Sequence, residues 1–152
     1  MKQRLNPLTA SPDGYKALNA VETYLQNCGL DHKLMALVKT RVSQINGCAY
    51  CLHMHPEEAR KLGESEARLY LLDAWHESNL YTERERAALG WAESLTHIAT
   101  SRAPDDVFDA VRRQFSEKEL TDLSIAIAMI NAWNRLAIGL RSQHPADRAK
   151  AA

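Results

Sequence analysis

Apolar positions along this chain recur at three- and four-residue intervals, and no stretch shows sustained alternation. Leu34, Leu37, Val38, Val42 and Ile45 mark one face of a helix that Asp31 can cap and Gly47 can stop. Ser11-Pro12 pairs an N-cap with proline at the first helical position, and Gly29 supplies the matching stop. Ser65 can open a short helix through Leu72, and Ala103-Pro104-Asp105 opens another. Thr82 with Glu85, and Ser116 with Glu119, have capping-box spacing just ahead of apolar patterns. The most apolar stretch, Leu120 to Leu140, is broken by Asp122, Asn131, Asn134 and Arg135, which predicts a buried core helix rather than a bilayer span. The pattern therefore predicts an all-α fold of about seven helices in a single domain, with a frayed tail from Gln143 onward.

Composition adds limits more than detail. With 25% charged and 45% hydrophobic residues among 152, the chain has ordinary globular proportions. Nineteen Lys and Arg balance nineteen Asp and Glu, so no basic excess points to nucleic acid or an anionic membrane. The first residues lack the apolar core of a signal peptide, and the expected location is the cytoplasm. Three cysteines are too few for a disulfide scaffold; in a reducing compartment, a close pair is more often catalytic or metal-binding than structural. Cys28, alone near a helix end, reads as a small core residue.

The candidate chemistry is concentrated between Gly47 and His55. If a helix begins at Gly47 or Cys48, both Cys48 and Cys51 lie in its first turn. Unpaired backbone N–H groups and the positive end of the helix dipole favour a thiolate there. The spacing of the two cysteines also lets them close a disulfide across one turn. His55 falls on the same face and can take a thiol proton or hold a thiolate as an ion pair. His53 points away from that face and receives no role. Pro56 lacks the N–H that would bond Leu52, which predicts a kink or restart beside His55. Two other readings stand beside the redox one. The three residues can be zinc ligands, although no fourth ligand or second Cys-X-X-Cys is evident, or the thiols can be inert and buried.

Other residues invite structural readings. Trp75, Trp91 and Trp133 read as core or interface anchors. Asn131, Asn134 and Arg135 need partners in so apolar a helix, from a subunit contact or another helix end; a carboxylate-binding role for Arg135 is the lesser reading. Glu83 to Arg86 reads as a solvated first turn.

The segment Arg41 to His55, with Cys48, Cys51 and His55 filling Cys-X-X-Cys-X-X-X-His, resembles the signature of the AhpD-like alkylhydroperoxidase branch of the carboxymuconolactone decarboxylase family. Glu83 to Thr96 and Ile130 to Arg135 match two further blocks, so the likeness extends over residues 15–141. It implies an all-helical AhpD-like fold, a homo-trimer or homo-hexamer, and thiol-dependent reduction of small alkyl hydroperoxides without a cofactor or metal. It also assigns Cys51 as the peroxidatic cysteine and Cys48 as the resolving one, with a dithiol reductant or carrier protein closing the cycle. The family pattern places a glutamate twelve residues before the first motif cysteine to complete a proton relay; here that position is Ala36. Glu93 is the expected substitute, and Tyr50 is a candidate hydrogen-bond donor. Two rival functions remain: a non-enzymatic redox-sensing or partner-binding protein, and a lactone decarboxylase-like enzyme indifferent to the cysteine pair.

Overall fold

Helix α3 (His32–Asn46) is buried on two opposite sides, and the molecule is arranged around it in a computed structural model that describes residues 1–148. Before it come α1 (Pro7–Ala10) and α2 (Pro12–Asn27). After it follow α4 (Ala49–Lys61), α5 (Glu66–Leu71), a 3-10 segment (Leu72–Glu77), α6 (Glu83–Thr96), α7 (Ile98–Ser101), α8 (Asp105–Arg112), α9 (Glu117–Leu140) and α10 (Pro145–Arg148). No strand occurs among the described residues.

One side of α3 joins the larger core: Leu34, Val38 and Val42 pack with Trp91, Val111, Phe115, Leu123, Ile127 and Ile130. The other side carries Ala36 and Leu37 into a smaller cluster with Ala59, Leu69, Leu72, Trp75, Tyr81 and Leu89. A helix apolar on both sides must be covered on both, which is why α9 and α6 close one flank while α4, α5 and the 3-10 segment close the other.

The capping signals operate as expected. Asp31 accepts from the Leu34 N–H at 2.7 Å, and Gly47 ends α3 in the left-handed region at φ 67°. Both capping boxes form, Thr82 with Glu85 and Ser116 with Glu119. The segments not anticipated are α1, α7, α10 and the 3-10 turn, none of them long enough to show an apolar period. Gln143 onward is not simply frayed, because Pro145–Arg148 is helical; the last part of the expected tail, residues 149–152, lies outside the described residues.

Two further expectations change. Glu83 to Arg86 is not merely solvated. Glu85 pairs with Arg68, Arg84 lies over the Phe115 ring and pairs with Glu119, and Arg86 donates to the carbonyls of Trp75, His76 and Ser78. A first turn between two packed layers is within reach of both, which periodicity cannot show. Helix α9 is long and apolar enough by composition to cross a membrane, more so than its interrupting polar residues suggest. Here it packs against α2, α3, α4, α6 and α8, and Asp122, Asn131 and Asn134 are buried with it.

Leu37 has no exposed surface. Leu37→Ala should cost about 2–5 kcal/mol, read as a shift in the denaturant midpoint at unchanged slope.

Candidate active site around the two thiols

The left-handed turn at Gly47 sends the chain directly into α4, with Cys48 as its N-cap. Cys48 Sγ accepts from the Cys51 N–H at 3.4 Å, the place a serine or aspartate oxygen usually takes. The sulfur therefore stands one residue before the helix rather than inside its first turn, directly on the unpaired N–H groups. Cys48 is 1% exposed and Cys51 2%, and both are free thiols.

Their environments push them apart. Cys48 is lowered to about 7, chiefly by the hydrogen bond from the Cys51 thiol, then by the backbone N–H groups of Cys51 and Tyr50 and the side chain of Asn134; burial opposes this. Cys51, which gives its proton to that hydrogen bond and is buried beside a sulfur anion, is pushed far up. The first proton to leave the pair therefore comes from Cys48, and Cys51 keeps its own.

His55 is 4% exposed and lies one helical turn beyond Cys51. Helix α4 runs unbroken through Pro56, so the expected kink does not occur; at this point proline removes one N–H without disturbing the path. His55 Nδ1 lies 2.8 Å from Glu58 Oε2, and Glu58 is held below the usual carboxylate range by that contact. An ionised carboxylate only accepts, so Nδ1 carries the proton. In the neutral imidazole Nε2 then keeps its lone pair, and it is buried without a hydrogen-bond partner among the described residues. This is the arrangement of a general base held by a carboxylate.

Cys51, His55 and Glu58 all open onto one cavity of about 810 Å³, and Cys48 does not line it. Ala36 lines it too, so the position where the family pattern has its relay glutamate does face this space. The carboxylate arrives instead from α4. Glu58 was missed in the sequence, although its place three residues after His55 was the available signal. The expected substitute, Glu93, is corrected: it accepts from Arg41 Nε at 2.7 Å and Trp75 Nε1 at 2.8 Å, contacts His76, and does not line the cavity. Its position on α6 turns it toward the 3-10 segment and the basic group on α3.

Trp133 is a cavity wall as well as an anchor, set edge-on to Tyr15 and donating to Glu22. The N-terminal residues Gln3, Asn6 and Leu8 complete the enclosure, tied down where the Arg4 N–H donates to Leu140 O at 3.0 Å. Tyr50 lines the cavity, while Cys28 donates to Leu25 O and packs against the larger core. His53 faces His144 at 5.5 Å between ring centres. The described residues contain no group of three or more His, Cys, Asp and Glu side chains placed to hold a metal ion.

Ultraviolet titration of the thiolate should show a midpoint near 7, lost in Cys48→Ser. Cys51→Ala should move the Cys48 midpoint upward, because it removes the strongest stabiliser of that anion.

The comparisons agree with this architecture. The model of the carboxymuconolactone decarboxylase family matches residues 12–94. The uncharacterized protein YdfG of Bacillus subtilis is 40% identical over 140 residues, covering 92% of this chain and 95% of its own. The crystal structure of ATU0492 from Agrobacterium tumefaciens, a protein of unknown function proposed to be the antioxidant defence protein AhpD, superposes with a TM-score of 0.92. It is 49% identical, with 95% of this chain and 99% of that one covered. The debrominase Bmp8 has the same fold at 22% identity, with a TM-score of 0.79 and coverage of 93% and 77%. This chain, with its all-helical AhpD-like fold, belongs to the carboxymuconolactone decarboxylase family.

Proposed function

We propose that this protein is a thiol-dependent peroxidase that reduces organic hydroperoxides through Cys51 and Cys48. The observation that carries the reading is the shared opening of Cys51 and the unpartnered His55 Nε2 onto one cavity, with Cys48 held behind them. The likeness to a protein proposed to be AhpD supports the same reaction class.

The chemistry follows from the two thiol environments. His55 Nε2 takes the Cys51 proton, and the Cys51 thiolate attacks the distal oxygen of the hydroperoxide. The S–O bond forms as the O–O bond breaks, and the leaving alkoxide receives the proton from His55 to depart as an alcohol. Cys51 is then a sulfenic acid. The Cys48 thiolate attacks its sulfur, closing the disulfide and releasing hydroxide, which is protonated to water. An external dithiol returns both cysteines to the reduced state and is itself oxidised. In this division of labour the cavity-facing cysteine attacks, and the anionic cysteine at the N-cap resolves.

Consumption of an organic hydroperoxide with a dithiol donor tests the proposal. Turnover should disappear in Cys51→Ser and stop at a stable sulfenic acid in Cys48→Ser. Turnover surviving Cys51→Ser overturns it. Glu58→Gln should lower the rate constant for peroxide reduction about tenfold or more at neutral pH, because the His55 tautomer is no longer held. Glu93→Gln should change that rate constant little.

A further inference from the structure

The chain has 4 methionines, and Met35 and Met54 line the cavity onto which Cys51 opens. Met54 stands one helical turn beyond Cys51 on α4, which puts both side chains on one face of that helix. Met35 reaches the same space from α3, next to Ala36. The remaining pair lies elsewhere. Met1 is 94% exposed, and Met129 on α9 packs into the larger core without lining the cavity. Met35 belongs to that core as well and is 7% exposed, against 8% for Met129. The two are therefore equally shielded from bulk solvent and differ in their access to the cavity.

A thiol must be ionised before it attacks a peroxide, and its surroundings hold the proton on Cys51. A thioether carries no proton and needs no base. Its sulfur attacks the distal oxygen of a hydroperoxide directly. The S–O bond forms as the O–O bond breaks, and the proton of the attacked hydroxyl passes to the departing alkoxide, which leaves as an alcohol. The sulfur loses two electrons and the peroxide gains them, so the step closes without a further reductant or cofactor. A hydroperoxide that enters after Cys51 has been oxidised thus still meets oxidisable sulfurs on the same wall.

We propose that Met54 and Met35 are modification sites of this cavity, converted to methionine sulfoxide by organic hydroperoxides when Cys51 is no longer in its reduced form. The inference rests on the reading of the cavity as the place where an organic hydroperoxide enters, but not on turnover through the two thiols. Met54 is only half-buried and reacts first. Met35 follows more slowly, because its sulfoxide oxygen meets the apolar neighbours of the larger core. Each conversion replaces an apolar, flexible side chain in the cavity wall by a polar one and weakens its fit to an apolar peroxide.

The test uses the full chain carrying Cys48→Ser and Cys51→Ser, exposed to tert-butyl hydroperoxide, with oxygen uptake at each methionine followed by peptide mass spectrometry. Met35 should take up oxygen about tenfold faster than Met129 or more, since Met129 is reached only through local opening of the core. Met54 should be faster than both. The same comparison in the wild-type chain, after the reagent has consumed its thiols, covers the case that the double variant does not fold. Equal rates at Met35 and Met129, or uptake confined to Met1, overturns the proposal. Selective uptake at Met54 and Met35, in a protein whose wild type shows no dithiol-dependent peroxide turnover, upholds the modification sites and counts against the peroxidase reading alone.

Discussion

A sulfur anion buried at the head of a helix has no water to solvate it, and the protein must supply every donor that water would have provided. At Cys48 these are the Cys51 thiol and the backbone N–H groups of Cys51 and Tyr50, with the Asn134 side chain nearby acting in the same direction. Each depends on a separate part of the fold. The backbone donors exist because Gly47 ends α3 in a left-handed turn and lets α4 begin immediately afterwards. The amide exists because α9 crosses the end of α3 at the height where Asn46 can hold it.

That solvation separates charge from access. The surroundings favour the anion on the cysteine that does not line the cavity and hold the proton on the one that does. A thiolate open to the cavity would be exposed to any oxidant that entered. In the proposed reaction the Cys51 proton leaves through His55, whose Nδ1 is held by Glu58. The carboxylate that the family pattern takes from α3 is supplied here from α4, across the same cavity that Ala36 lines. Moving the acid to a neighbouring helix preserves the contact and leaves the α3 position small enough to join the second core cluster.

Much of this was legible along the chain. Caps, glycine stops and apolar spacing locate the principal helices, because these signals act within a few residues and need no tertiary partner. The thiol motif was visible for the same reason, since Cys48, Cys51 and His55 lie within one helical segment. The short turns escaped notice because four to six residues carry no period, and Pro56 misled because a single missing N–H does not break a helix that is packed on both sides of it.

The sequence by itself determined the helices, the N-terminal placement of the two thiols and the histidine that accompanies them, because all three are consequences of local spacing. Tertiary structure alone decided which carboxylate serves His55, which cysteine faces the cavity and which holds the charge. The sequence pointed to Glu93, whereas the structure sets Glu58 against His55. Only the packing of α6 onto the 3-10 segment commits Glu93 to Arg41 and Trp75. The contacts of Asn46 with Asn131 and Asn134 were likewise unreadable, because α3 and α9 are far apart in sequence and meet only in the folded core.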